Sequence, residues 1–321
     1  MEIDANTRAI GESHSKLILL GEHAVVYGKP AIAMPFPLKV RCIVEETIGH
    51  VMLDSIIYTG VVDHMPREMQ GIAACMKETL NYLGKPLENL SISIDSCIPL
   101  GRGLGSSAAV AIAMVRALFA FYGKELSKEE LFSLVQISET YAHGNPSGID
   151  MVSEASDCPV WFEKGKEVLP LKPTAPLFIA VADTGRMADT RTAVDNVKKR
   201  YAANPEKVEQ SLEKIDDMAN KAKAALLKGD IQCIGELLNG NQQELVKLGV
   251  SDEGLNGLVQ RALKAGALGA KLTGGGMGGC MLALGKNMEH AKLIAKELRE
   301  YGASNSWYFS TDSDMLYGVY E

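Results

Sequence analysis

A mixed α and β class, divided near residue 175, is what this sequence predicts, and three observations carry it. Apolar segments with two-residue alternation are interleaved with stretches of helical spacing along the whole length. The run Lys172-Pro173-Thr174-Ala175-Pro176 interrupts both patterns. Beyond it, residues 188–249 turn to charged, amphipathic helical sequence. No repeat and no low-complexity segment is present.

The elements follow in order. Residues 15–20 read as a buried strand entering the turn Gly21-Glu22-His23. Residues 38–46 and 51–57 alternate and are rich in β-branched side chains, so both read as strands. Residues 66–82 carry apolar positions at helical spacing and stop at Gly84. Residues 90–94 alternate again and lead into a glycine run. Residues 106–122 are almost wholly apolar or small, the mark of a helix buried on most sides. Ser127 and Glu130 have the spacing of a capping box, and residues 146–155 suit a short helix with Pro146 at its start. Residues 177–182 form a continuous apolar strand. Residues 270–273 and 279–284 flank a second glycine run, 289–301 form a helix, and 307–309 and 315–320 are closing strands.

Composition limits the function classes. The chain has 321 residues, 46% apolar and 23% charged, ordinary values for a folded protein. Its net charge of −7 argues against nucleic acid and anionic membrane surfaces as partners. Any anionic ligand must therefore be held by local dipoles, metal ions and a few placed cations. Six cysteines are scattered without a C-x-x-C pair, which fits a reducing cytosol. Residues 1–15 carry acids and no apolar stretch, unlike a signal peptide, and residues 17–20 are too short to span a bilayer. The expectation is a cytoplasmic protein.

The first glycine run is Pro99-Leu100-Gly101-Arg102-Gly103-Leu104-Gly105-Ser106-Ser107-Ala108. Its glycines remove side chains where backbone must approach a ligand or take positive φ. The helix that follows points its unpaired N–H groups back at the loop, an arrangement that binds phosphate. Ser106 and Ser107 add hydroxyls suited to capping, to Mg²⁺ or to phosphate oxygens. No Gly-Lys-Ser/Thr follows, and Ser106 stands where a dinucleotide fingerprint needs glycine. A tight strand-to-helix turn with a serine cap accounts for the same residues. The neighbouring motifs must decide.

Three further groups bear on it. Lys16 enters an apolar strand, so it either emerges at the surface or finds a buried anionic partner. Glu22 and His23 on the next turn suit contact with a hydroxyl-bearing substrate, or capping. Glu139 and Asp150 stand on either side of the bend Gly144-Asn145-Pro146-Ser147-Gly148; that spacing suits metal ligation and proton handling, or two solvated helix ends. The second glycine run, Gly274-Gly275-Gly276-Met277-Gly278-Gly279, has more glycine than a hairpin requires. It implies backbone pressed against the first loop, a phosphate or the substrate, or else a flexible connector.

In this order the motifs resemble those of the GHMP kinase superfamily, whose members include galactokinase and the homoserine, mevalonate and phosphomevalonate kinases. The run at 99–108 matches the family's P-x-G-x-G-L-G-S-S-A motif at each defined position, and the run at 271–280 resembles its third motif. Residues 21–28 and 143–150 resemble the signatures of the mevalonate kinase branch. The chain departs from the family in Ser13-His14-Ser15-Lys16, where Ala-Pro-Gly-Lys is common.

The resemblance implies an α+β, two-domain GHMP kinase fold with the active site in a cleft between the domains. Residues 1–175 would be like domain 2 of ribosomal protein S5, and residues 176–321 ferredoxin-like. It implies transfer of the ATP γ-phosphoryl group to the C5 hydroxyl of mevalonate. Gly101, Gly103, Leu104, Gly105, Ser106, Ser107 and Ala108 would hold the nucleotide, with Ser106 and Glu139 on Mg²⁺. Asp150 would take the hydroxyl proton and pair with Lys16, which stabilises the alkoxide. Glu22, His23, Thr190, Gly275 and Gly276 would contact the substrate, and a homodimer is implied. A phosphomevalonate kinase is the nearest rival. An ATP and metabolite sensor on the same fold is the rival from another class, and the joint presence of Lys16, Glu139 and Asp150 argues against it.

Overall fold

The structure is a computed structural model that describes residues 7–143, 147–188, 190–313 and 316–318. In chain order, β1 (Arg8–Leu20), β2 (Ala31–His50), β3 (Met52–Ser55) and β4 (Tyr58–Val61) come first. They are followed by α1 (Gln70–Tyr82), β5 (Glu88–Ser96), α2 (Ser106–Phe121), α3 (Lys128–His143) and α4 (Ile149–Glu154). Next are β6 (Val160–Phe162), β7 (Leu169–Pro170), β8 (Phe178–Asp183), α5 (Thr190–Ala203), α6 (Pro205–Lys228), α7 (Ile231–Leu248) and α8 (Glu253–Lys264). The chain then forms β9 (Gly269–Thr273), β10 (Cys280–Gly285), α9 (Met288–Glu300), β11 (Asn305–Ser310) and β12 (Leu316–Gly318).

These elements gather into two units, neither continuous in sequence. The first takes residues up to 15, 38–99 and 105–157, and the second takes 16–37, 100–104 and 158–321. Residues 158–175, ahead of the Pro-rich interruption, therefore pack with the second unit.

In the first unit β2 pairs antiparallel with β5, β5 pairs parallel with β3, and β3 pairs antiparallel with β4. Burial alternates along the middle of β2, residues 35–44, as one solvated face demands. Helix α2 is the core of this unit. Eleven of its sixteen residues, Ala109, Ile112, Val115 and Leu118 among them, are buried. Helices α1 and α3 pack on it and on each other. The capping box opens α3 as its spacing predicts: Ser127 N–H and Oγ–H both donate to Glu130 Oε2 at 2.7 Å, and Glu130 N–H donates to Ser127 Oγ at 3.2 Å.

The second unit is built on an antiparallel sheet of order β12-β11-β8-β10-β9. With helices between β8 and β9 and α9 between β10 and β11, the chain traces β-α-β-β-α-β, and the four strands lie in the order fourth, first, third, second. That is the ferredoxin-like arrangement. Strands β9 and β10 are buried along their whole length, so they read as apolar runs instead of alternating. Helices α7, α8 and α9 pack against the sheet. Phe36 meets Trp307 and Phe309 with ring centroids 6.0 and 5.4 Å away.

The outer strand β9 would leave backbone groups unpaired, and α7 supplies the partners. Asn239 Oδ1 accepts from Ala270 N–H at 3.0 Å, and Gln242 Oε1 accepts from Leu272 N–H at 2.9 Å. This needs close approach. A Cβ on Gly269 would lie 2.0 Å from the Gly235 carbonyl oxygen.

The differences from expectation have local causes. The strand expected at 15–20 is the buried C-terminal part of β1, which begins earlier with alternating burial, and the strand expected at 38–46 lies inside β2, which begins buried and ends exposed. The strand expected at 51–57 ends at Ser55, because Ile56 and Ile57 form an exposed turn into β4. The helix expected from 66 opens as a 3₁₀ turn, Arg67–Met69, before α1. The short strands β6 and β7 carry too few residues to show a period. The start of the helix expected at Pro146, and residues 315, 319 and 320 of the last strand, lie outside the described residues. Among the described residues no helix is long and apolar enough to cross a membrane.

Gly269→Ala should lower stability by about 1–3 kcal/mol through overpacking between α7 and β9. Gly84→Ala, where a Cβ meets nothing within 4 Å, should lose only what its positive φ demands. Urea unfolding of the two variants measures the difference, and equal losses would remove steric contact as the cause.

Candidate functional site

In the second unit the end of β1 and the turn after it organise the site. Lys16 is 3% exposed and donates its Nζ–H to the Gly103 carbonyl at 3.2 Å. Its backbone N–H donates to the Leu104 carbonyl at 3.3 Å. Of the two fates open to this lysine, burial is the one observed, and its ammonium lies against the first glycine loop.

Glu22 is 1% exposed and forms an ion pair with the wholly buried Lys271. The Lys271 ammonium also donates to the carbonyls of Ile18 at 3.3 Å and Leu272 at 2.5 Å. Burial pushes the Glu22 carboxyl up and the Lys271 ammonium down, and each partner opposes the shift of the other. Thr273 adds a second tie, its Oγ1 accepting from Ile18 N–H at 2.9 Å. His23 makes the third, with Nε2 2.8 Å from the Gly275 carbonyl. A carbonyl only accepts, so Nε2 carries the proton. Burial pushes the His23 imidazole down to about 4, and the ring is neutral at physiological pH. Its backbone has φ 62°, a left-handed conformation uncommon outside glycine.

The second glycine run is pressed backbone. A Cβ on Gly274 would lie 2.6 Å from the Gly103 carbonyl oxygen, one on Gly275 2.6 Å from Thr190 Oγ1, and one on Gly276 2.1 Å from the Val250 carbonyl oxygen. Thr190, the first residue of α5, thus touches the same run. Segment 183–188 closes the group. Ala188 N–H donates to the Gly101 carbonyl at 2.7 Å, and Gly279 N–H donates to the Arg186 carbonyl at 2.8 Å.

In the first unit, Gly105 has φ 80° and stands as the N-cap of α2, with no side-chain cap. By contrast α6, α7, α8 and α9 are each capped by an Asn or Asp side chain. The serine cap that the alternative reading of this run required is absent, because Ser106 and Ser107 are already helical. The N–H groups of Ser106, Ser107 and Ala108 therefore lie in the first turn, where partial positive charge gathers. Glu139 is 2% exposed near the end of α3, buried and not a solvated helix end. Asp150 is half-buried in the first turn of α4 behind Gly148, which has φ 89°. Helices α2, α3 and α4 pack against one another, which places Ser106, Glu139 and Asp150 on one helical group.

The stretch Ser13-His14-Ser15 also finds a place here. Ser13 Oγ–H donates to the Glu154 carbonyl at 3.2 Å, and His14 Nε2 lies 3.0 Å from that of Ser156. These contacts tie β1 to the end of the helix that carries Asp150.

The expected residues thus fall into two sets. Lys16, Glu22, His23, Gly101, Gly103, Leu104, Thr190, Gly275 and Gly276 belong to the second unit; Gly105, Ser106, Ser107, Ala108, Glu139 and Asp150 belong to the first. Lys271 and Thr273 were missed as residues with a part of their own. A lysine within an apolar strand is the same signal that marked Lys16, and it had the same meaning.

The chain belongs to the GHMP kinase family: residues 69–156 match the model of the GHMP kinases N terminal domain, and residues 222–304 match that of the GHMP kinases C terminal. Within that family its relatives include mevalonate kinases. The mevalonate kinase of Pyrococcus horikoshii is 39% identical over 313 residues, covering 89% of this chain and 91% of that protein. Among solved structures, L. major mevalonate kinase in complex with R-mevalonate superposes with a TM-score of 0.85 at 26% identity, over 97% of this chain and 98% of that one. Methanococcus jannaschii mevalonate kinase gives 0.81 at 27% identity, over 98% and 99%.

Lys271→Met should leave Glu22 as an unpaired buried charge and lower stability by about 3–5 kcal/mol; a loss below about 1 kcal/mol in urea unfolding would mean that the pair is solvated. The neutral His23 fixes a pH dependence. Between 6.5, its ordinary value, and about 4, the unfolded chain takes up a proton that the folded chain refuses. Stability should fall with pH across that window by up to about 1.4 kcal/mol per unit. His23→Gln should flatten the fall, as followed by thermal unfolding.

Proposed function

We propose that the chain transfers the γ-phosphoryl group of ATP to the C5 hydroxyl of mevalonate, giving 5-phosphomevalonate. The observation that carries phosphoryl transfer is the start of α2. A helix with no side-chain cap follows three glycines at φ 65°, 74° and 80°, leaving first-turn N–H groups for phosphate oxygens. The choice of mevalonate over its phosphorylated form as acceptor rests on the relatives described above.

Phosphoryl transfer needs positioning and charge neutralisation more than covalent chemistry. Gly101, Gly103, Leu104, Gly105, Ser106, Ser107 and Ala108 serve the nucleotide phosphates. Lys16, held at the Gly103 carbonyl, stabilises developing negative charge on the attacking oxygen. Asp150 orients the hydroxyl and accepts its proton as the new O–P bond forms and the bond to the leaving ADP oxygen breaks. Glu22, His23, Thr190, Gly275 and Gly276 shape the acceptor site, His23 as a neutral ring whose Nδ1 is an acceptor.

Mg²⁺ fits the donors offered. A buried carboxylate, Glu139, stands on a helix packed against the one that begins with the Ser106 hydroxyl. Both are hard oxygen ligands, and Mg²⁺ commonly takes one or two protein oxygens beside phosphates and water. When bound, the ion offsets phosphate charge.

The same reading carries an N-terminal domain of residues 1–175 and a C-terminal domain of 176–321, with the family matches falling on either side of the division. It also carries a cytoplasmic homodimer. The six cysteines are free thiols, in keeping with a reducing compartment.

An ADP-coupled assay across mevalonate, phosphomevalonate, galactose and homoserine should show turnover with mevalonate. Turnover confined to another acceptor, or binding without turnover, would overturn the reading. Asp150→Asn should lower kcat by about 10²–10⁴ with ATP affinity nearly unchanged. A near-normal kcat would remove Asp150 from the proton-accepting role. Ser106→Ala should raise the Mg²⁺ concentration needed for half-maximal rate, and an unaltered requirement would exclude its hydroxyl as a ligand.

A further inference from the structure

Arg102 stands at a position that the motif P-x-G-x-G-L-G-S-S-A leaves undefined, yet its side chain is not left in solvent. It is 18% exposed, and its Nε–H donates to Asp183 Oδ2 at 3.0 Å. Asp183, at the end of β8, is 1% exposed and fixed in turn, its Oδ1 accepting from Gly185 N–H at 2.8 Å. Arg102 Nη1 is buried and has no hydrogen-bond partner among the described residues. The guanidinium is thus partly desolvated while making less than its full set of bonds. Buried ion pairs of this kind add little net stability, and register is the better-attested use of them.

The register in question is that of the loop. Residues 101 and 103 both take left-handed backbone, with φ 65° and 74°. A loop flanked by two such glycines has much conformational freedom to lose on ordering. Arg102 lies between them and reaches segment 183–188, which also donates to the Gly101 carbonyl at 2.7 Å through Ala188 N–H. The same segment hydrogen-bonds the second glycine run: Thr184 N–H donates to the Gly279 carbonyl at 3.0 Å.

We propose that Arg102 is a positioning residue, which through Asp183 holds residues 100–104 in the conformation that receives the nucleotide phosphates. The proposal rests on the kinase reading above. It predicts a selective defect, because the loop faces ATP and the acceptor contacts lie elsewhere in the sequence.

The test is equilibrium titration of Mg-ATP without acceptor, alongside steady-state kinetics, on Arg102→Ala, Arg102→Lys, Asp183→Asn and the Arg102→Ala/Asp183→Ala double variant. Arg102→Ala should weaken ATP binding by about tenfold or more and raise KM for ATP in step. KM for mevalonate should move by no more than about twofold. Arg102→Lys should recover part of the loss, since it keeps the charge and loses the planar fork. The double variant should be no worse than Arg102→Ala, as expected of residues acting as a unit. Should Arg102→Ala fail to fold, Arg102→Gln is read by the same criteria. Unchanged ATP affinity in a folded variant would overturn the proposal. So would equal damage to both KM values with a lowered Tm, which marks a scaffold role alone. If the wild-type chain binds ATP but does not phosphorylate mevalonate, the functional reading fails, and the ATP titration still decides the role of Arg102.

Discussion

The pair of Glu22 and Lys271 is the constraint on which the second unit's site depends. Both charges are taken almost wholly out of water, a step that only close pairing and further hydrogen bonds make tolerable. Lys271 meets the requirement by satisfying the carbonyls of Ile18 and Leu272 as well as the carboxylate. Because Ile18 lies two residues beyond Lys16, the same ammonium fixes the strand that carries the lysine ascribed to catalysis. Because Leu272 lies just ahead of the second glycine run, it fixes that run too. Thr273 and His23 repeat the tie at successive positions. The result is a lysine, a turn and a glycine backbone whose places are over-determined, and His23 can be held at φ 62° as a consequence.

The phosphate motif has a different logic on its two sides. Up to Leu104 three of its backbone carbonyls are occupied: that of Gly101 by Ala188 N–H, that of Gly103 by the Lys16 ammonium and that of Leu104 by Lys16 N–H. From Gly105 onward the backbone presents N–H groups at a helix start. One stretch therefore spends acceptors on the second unit and leaves donors at the helix start, where the proposed function puts the nucleotide phosphates. That division suits a chain of net charge −7, in which the global field offers a polyphosphate no help.

How far the sequence could be read depended on whether a residue's role was local. The capping box at Ser127 and the buried helix at 106–121 follow from spacing and composition, and both stand where expected. The glycine runs declared close approach, since no other residue tolerates it, though not what they approached. Burial of charge was the hidden part. Lys16, Glu139 and Lys271 each look like surface residues in isolation, yet all three are buried, and for Lys16 and Lys271 the partners that turn them inward are long-range. Glu22 and Lys271 are nearly 250 positions apart, and no periodicity reports such a pair. Strands β6 and β7 were invisible for the opposite reason, being too short to carry a pattern.

The discontinuity of the second unit bears on how the chain is made. Its sheet places β8 between β10 and β11, so the central strand waits about a hundred residues for one neighbour and still longer for the other. Its other walls come from residues 16–37 and 100–104, which leave the ribosome early and must stand without their partners. The buried Glu22 is among them and stays hydrated until Lys271 arrives. The first unit, by contrast, has all its elements by residue 157 and can close first. During synthesis the early strands β1 and β2 thus fold onto one body at one end while the other end stays open. The long wait leaves Phe36 without the Trp307 and Phe309 rings that later cover it, and apolar surface left open in this way invites aggregation of the nascent chain.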